Sequence, residues 1–126
     1  MADGKTILLV EDDIFLSSLL KTRLEKEGLV VNLTKTSDEA LANLKQASPD
    51  LILMDIILPG KSGFEAMEQI AAEPSASKIP VMIISNLGQE SDIARGKQLG
   101  AVEYLVKAQT PIDELVKRVL SFLSTS

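Results

Sequence analysis

Short, unbroken apolar runs recur along this chain at Ile7-Leu8-Leu9-Val10, Leu51-Ile52-Leu53-Met54 and Val81-Met82-Ile83-Ile84, and no other feature limits its folding as tightly. Each has the length of a strand. None alternates with polar residues, so each must be apolar on both faces, the pattern of a parallel sheet covered on both sides. Two weaker runs, Leu29 to Val31 and Val102 to Val106, bring the expected strands to five.

The stretches between these runs follow the helical period. Leu16, Leu19, Leu20 and Leu24 share one helical face, and Gly28 follows as a stop. Ala40, Leu41 and Leu44 mark a second helix that starts at Ser37. Ser62 with Glu65 reads as a capping box for a third, with Met67, Ile70 and Ala71 as its buried face and Pro74 as its end. A fourth helix, near Ser91 to Leu99, has few apolar positions and Gly96 inside it. Glycine there costs about 1 kcal/mol relative to alanine, so this element should be the least stable. The last helix is the clearest: Thr110 as cap, Pro111 at the first position, Asp113 and Glu114 at the positive end of the dipole, and an apolar stripe from Ile112 to Leu123. Strands alternating with helices across short connections make βαβ units, whose right-handed crossovers cover both faces of the sheet. The expected class is α/β, a doubly wound parallel sheet with five helices. One domain is expected over residues 1–126, ordered from about residue 4 to 123, with Ser124-Thr125-Ser126 fraying.

Composition narrows the chemistry. The chain has no cysteine and no histidine, which excludes disulfides, thiolate nucleophiles, Ser-His-Asp units and histidine-ligated zinc. A net charge of −5 with few aromatics argues against nucleic acid as a partner. No apolar run reaches membrane-spanning length, and Met1-Ala2-Asp3-Gly4-Lys5 has no signal-peptide pattern, so a cytoplasmic protein without a membrane partner is expected.

In an open parallel sheet, ligands bind beyond the carboxyl ends of the strands. Glu11, Asp12 and Asp13 follow the first expected strand, Asp55 the third, Ser85 the fourth and Lys107 the fifth. Each alone has an ordinary reading: Asp13 as a helix cap, Asp55 as a turn residue before Pro59-Gly60, Ser85 as a cap, Lys107 as a solvated cation. As a set they resist it, because converging carboxylates repel unless protonated or neutralised by a cation. Candidate ligands that are all oxygens suit magnesium, which takes one or two carboxylates and binds phosphate; calcium would want more protein oxygens.

The segments Leu8-Leu9-Val10-Glu11-Asp12-Asp13, Leu53-Met54-Asp55-Ile56-Ile57-Leu58-Pro59-Gly60 with Gly63, Ile84-Ser85-Asn86, and Gly100-Ala101-Val102-Glu103-Tyr104-Leu105-Val106-Lys107 resemble the receiver domain of bacterial two-component response regulators, in that family's order and spacing. The resemblance covers nearly the whole chain and suits a stand-alone, chemotaxis-regulator-like receiver, or a piece of something larger. It implies a flavodoxin-like fold with strand order 2-1-3-4-5. It implies Asp55 as phosphoacceptor, Asp12 as a magnesium ligand with Glu11 acting directly or through a water, and the backbone carbonyl of Ile57 as a further ligand, manganese being able to substitute. Ser85 would be the switch hydroxyl, Lys107 the cationic partner of the phosphoryl group, and Tyr104 the aromatic switch residue. Asp13 falls outside the family's acidic pair and is expected to cap the first helix. The implied function is phosphorelay signalling: phosphoryl transfer from a histidine kinase or phosphotransfer protein, then switching of a protein-binding face on the fourth helix, fifth strand and fifth helix, including Ile93 and Tyr104. On this reading the chain catalyses only its own phosphorylation and dephosphorylation, and is a monomer or weak homodimer.

Two features depart from the family's pattern. Ala108 stands where the family usually has a proline after the lysine, often with a cis bond; a cis bond before alanine would cost roughly 2.5–4 kcal/mol, so a trans bond and an altered loop are expected. Ile57 and Leu87, two residues beyond Asp55 and Ser85, are apolar where the resemblance places the path of the hydrolytic water, which implies a long-lived phosphoryl-aspartate. Rival readings are weaker. A flavodoxin-like electron carrier needs a phosphate-cradling loop, where this chain has Glu11-Asp12-Asp13. An aspartyl phosphohydrolase needs a general acid where this chain has Ile57. A receiver acting only as a constitutive binding module stays open.

Overall fold

Strands β1 (Thr6–Val10), β2 (Val30–Thr34), β3 (Leu51–Met54), β4 (Val81–Ser85) and β5 (Glu103–Val106) alternate with helices α1 (Ile14–Lys26), α2 (Ser37–Leu44), α3 (Gly63–Ala72), α4 (Glu90–Gln98) and α5 (Ile112–Thr125). A single 3-10 turn, Lys107–Gln109, links β5 to α5. The structure is a computed structural model and describes residues 4–125, so the expectations for Met1 to Asp3 and for Ser126 lie outside the described residues. All five strands are parallel and lie in the order β2-β1-β3-β4-β5. This is the doubly wound, flavodoxin-like sheet that the resemblance implied.

The continuous apolar runs divide by their alternation. Ile7 and Leu9 of β1 join Leu20, Leu24, Leu115 and Val119 in a core beneath α1 and α5. Leu8 and Val10 face the other way, onto Ala40, Phe64, Met67 and Ile70 of α2 and α3. Register then aligns the strand ends: Val10 pairs with both Thr34 and Met54, and Ser85 pairs with Val106. The residues that follow β1, β3 and β5 therefore emerge on one edge. No helix of the described residues is long and apolar enough to cross a membrane.

Several local expectations are corrected. The buried seam of α1 is Ser17, Leu20 and Leu24, and Leu19 is 46% exposed. Ser17 tolerates burial because its hydroxyl donates to the Ile14 carbonyl at 3.2 Å. In α3 the inward residues are Phe64, Ala66, Met67 and Ile70, and Ala71 faces out. Helix α2 does start at Ser37 as expected, capped by Thr36, whose Oγ1 accepts the Glu39 N–H at 3.1 Å. The Pro111 carbonyl accepts the first α5 bond, from the Leu115 N–H, so Pro111 and not Thr110 stands at the cap position. The same helix runs on to Thr125, with the Ser124 hydroxyl donating to the Leu120 carbonyl at 2.7 Å.

Gly63 shows why the β3–α3 connection is tight. A Cβ there would lie 2.2 Å from the Asp55 carbonyl oxygen, and its N–H donates to the Ile56 carbonyl at 2.8 Å. Gly96 is likewise a packing contact, because a Cβ would lie 2.7 Å from Ile83 and 2.8 Å from the Tyr104 ring. The glycine that weakens α4 as a helix is what lets α4 sit on the sheet.

Candidate functional site

Glu11 and Asp55 leave β1 and β3 with their backbones still tied to the sheet: the Glu11 N–H donates to the Thr34 carbonyl and the Asp55 N–H to the Val10 carbonyl, each at 3.0 Å. This anchoring aims two buried carboxylates at one point, and Asp12 adds an exposed third. One oxygen from each of Glu11, Asp12 and Asp55 lies within 4.8 Å of the others. Asp13 stands apart from this group. Its Oδ1 accepts the Leu16 N–H at 3.0 Å as the cap of α1, and its own N–H donates to Glu11 Oε2 at 3.0 Å.

Lys107 closes the group from β5. Its ammonium lies 2.7 Å from Glu11 Oε1 and 2.9 Å from Asp55 Oδ2, and its side chain is only 16% exposed. The peptide bond to Ala108 is trans, as expected, and among the described residues no peptide bond is cis. The 3-10 turn that starts at Lys107 takes up the altered loop, and the long side chain still spans the pocket. The other oxygen of Asp55, Oδ1, accepts the Ile57 N–H at 3.2 Å. Both oxygens are thus held while the carboxylate stays at the edge.

The charges shape one another. Burial pushes the Glu11 carboxyl above its ordinary value, against the opposing pull of the Lys107 ammonium and the Asp13 N–H, with the Asp55 charge pushing it further up. For Lys107, burial alone would lower the value; the two carboxylates outweigh it and hold the ammonium above its ordinary range. Glu11 Oε1 is buried and, beyond the ion contact with Lys107, has no aligned hydrogen bond among the described residues. Three converging carboxylates, an oxygen-only donor set, fit a hard divalent cation of magnesium type.

Ser85 ends β4 fully buried, and its Oγ accepts the Leu87 N–H at 3.2 Å rather than capping α4. Tyr104, on β5, donates its hydroxyl to the Leu87 carbonyl at 2.6 Å. Leu87 is therefore held at its N–H by one candidate switch residue and at its carbonyl by the other. Tyr104 thus lies against the loop beyond Ser85. Burial raises the Tyr104 phenol above its ordinary value, with the Asp92 charge adding to the shift.

Sequence reasoning named Gly63 only as part of the family motif and gave it no structural role, although a glycine at the start of a helix can signal a close approach. It also gave no sign of Arg95, whose guanidinium lies 4.5 Å from the centre of the Phe64 ring, since only the fold brings α3 and α4 together.

Comparison with known proteins agrees with this architecture. Residues 7–120 match the response regulator receiver domain family. Protein PilH of Pseudomonas aeruginosa is 38% identical over 120 residues, covering 94% of this chain and 97% of PilH. The phosphate regulon transcriptional regulatory protein PhoB of Rhizobium meliloti is 39% identical over 118 residues, 93% of this chain, which spans only 51% of PhoB. A solved structure of the phosphorylated cyanobacterial phytochrome response regulator RcpA superposes with a TM-score of 0.87 at 31% identity, covering 98% of this chain and 96% of RcpA. Since the match runs from the first strand into the last helix, the chain belongs to the response regulator receiver domain family of two-component signalling.

Proposed function

We propose that this chain accepts a phosphoryl group on Asp55 from a histidine kinase or a phosphotransfer protein, and that the modification switches a protein-binding face formed by α4, β5 and α5. Members of its family are phosphoacceptors supplied by such donors. The observation that carries the reading is the Lys107 ammonium bridging Glu11 and Asp55 at the carboxyl edge of the sheet. A buried carboxylate fixed by a cation and an N–H is oriented for attack and costs little to reorganise.

In the proposed step a carboxylate oxygen of Asp55 bonds to phosphorus as the bond from phosphorus to the donor nitrogen breaks. The electron pair of that bond stays with the donor imidazole. None of these 126 residues is a histidine, so the phosphohistidine lies outside them. Lys107 offsets negative charge on the arriving oxygens. Asp12 and Asp55, Glu11 directly or through a water, and the Ile57 carbonyl would hold magnesium, or manganese in its place, which would supply further charge neutralisation. Ser85 keeps its oxygen on the Leu87 N–H and has one proton to donate to a phosphoryl oxygen. A shift of Ser85 then moves Leu87, and Leu87 moves the Tyr104 hydroxyl bonded to it. That chain of contacts links the modification to β5 and α4 as a shift in population between two arrangements.

Incubation with magnesium and acetyl phosphate, followed by intact mass measurement, tests the assignment. Wild type is expected to gain one phosphoryl group and Asp55→Asn none. Equal labelling of the two would overturn it.

A further inference from the structure

Helix α4 is held weakly from within. Among the described residues of α4 only Gly96 is buried. That residue seats one flank of the helix on Ile83 and Tyr104. The preceding residue, Arg95, meets α3: its guanidinium lies over the Phe64 ring at 4.5 Å and reaches Glu68 at 3.7 Å. Phe64 is buried and directly follows Gly63, the residue pressed against the Asp55 carbonyl. The ring is therefore rigid with the backbone that carries the acceptor carboxylate. We propose that Arg95 clasps α4 to this fixed ring and thereby opposes displacement of α4 when Asp55 is modified, making the Arg95–Phe64 contact a built-in brake on switching.

The proposal rests on the reading of Asp55 as phosphoacceptor. Of the two Arg95 contacts, the ring contact must carry the effect. Arg95 and Glu68 are 55% and 56% exposed, and ion pairs between such groups contribute little. Stacking on an aromatic face suits the planar guanidinium more than a lysine ammonium. The contact involves none of Ser85, Leu87 and Tyr104, so it would restrain α4 independently of the Leu87 bonds.

Amide hydrogen exchange and a beryllofluoride titration followed by NMR test this on the full chain. In Arg95→Ala, exchange of the α4 amides in the unmodified protein is expected to rise about two- to fivefold, the size an exposed cation–π contact supports, with β1 and β3 amides unchanged. The beryllofluoride concentration for half-maximal shift of α4 and β5 resonances is expected to fall by a similar factor. Glu68→Gln should match wild type in both measurements, and Arg95→Lys should fall between. Wild-type exchange in Arg95→Ala, an unchanged beryllofluoride midpoint, or an equal effect of Glu68→Gln would overturn the clasp. A wild-type protein blind to beryllofluoride would sink the phosphoacceptor reading instead, and exchange alone would then decide the clasp.

Discussion

Glu11 is the residue whose environment has the most measurable consequence. Burial raises its carboxyl above the ordinary 4.5, so its proton is held to a higher pH than in a solvated glutamate. A divalent cation needs the ionised form, so metal affinity should decline as pH falls through this raised value and be complete above it. Calorimetric titration with manganese from about pH 8 to about pH 5 should show the loss beginning above the range of a free carboxylate, with proton release on binding. Glu11→Gln should bind more weakly and with a flatter pH profile; an affinity constant across that range would contradict the assignment. Ile57 and Leu87 set a second expectation. The Ile57 side chain is 56% exposed beside Asp55, and Leu87 is half-buried on the other side of Ser85. Neither side chain can orient water or move a proton. The phosphoryl-aspartate should be slow to hydrolyse, and an Ile57→Asn, Leu87→Glu double variant should release phosphate on the order of 10- to 100-fold faster, at or below what positioned acid–base groups supply. A wild-type half-life of seconds would contradict this, as would no difference from the double variant.

At the scale of elements, the start of α3 is the joint that matters. The helix is capped by Ser62, whose Oγ accepts the Glu65 N–H at 3.2 Å, and it enters against the backbone after β3 with no room for a side chain at Gly63. Gly63→Ala would drive a methyl group into the Asp55 carbonyl, and over-packing of this kind costs about 1–3 kcal/mol. Urea denaturation should show that loss, and phosphorylation by acetyl phosphate should fall with it because the acceptor's own peptide must move. Unchanged stability in Gly63→Ala would mean the joint yields more easily than its geometry indicates. The sequence reading of α4 saw Gly96 only as a cost. Gly96 costs helix propensity, but the fold uses it to bring α4 onto Ile83 and Tyr104.

Across the whole molecule, the sheet was readable because β1, β3 and β4 are covered on both faces, which leaves unbroken apolar runs with few rivals for their interpretation. The acidic edge was readable because each candidate directly follows or ends a strand. What escaped depends on helix rotation or on partners distant in sequence. The seam of α1 takes in Ser17, a polar residue satisfied by its own helix, so the expected face holds at Leu20 and Leu24 but fails at Leu19, which stays 46% exposed. The Lys107 bridge runs from the outer strand β5 to residues after the inner strands β1 and β3, and no local pattern announces which carboxylates one long side chain will reach. Tyr104 carries one more consequence. It is the chain's single tyrosine, and there is no tryptophan. Its hydroxyl holds the Leu87 carbonyl. Ultraviolet emission from this molecule therefore comes from one phenol at the loop beyond Ser85, so a label-free optical signal reads that loop alone.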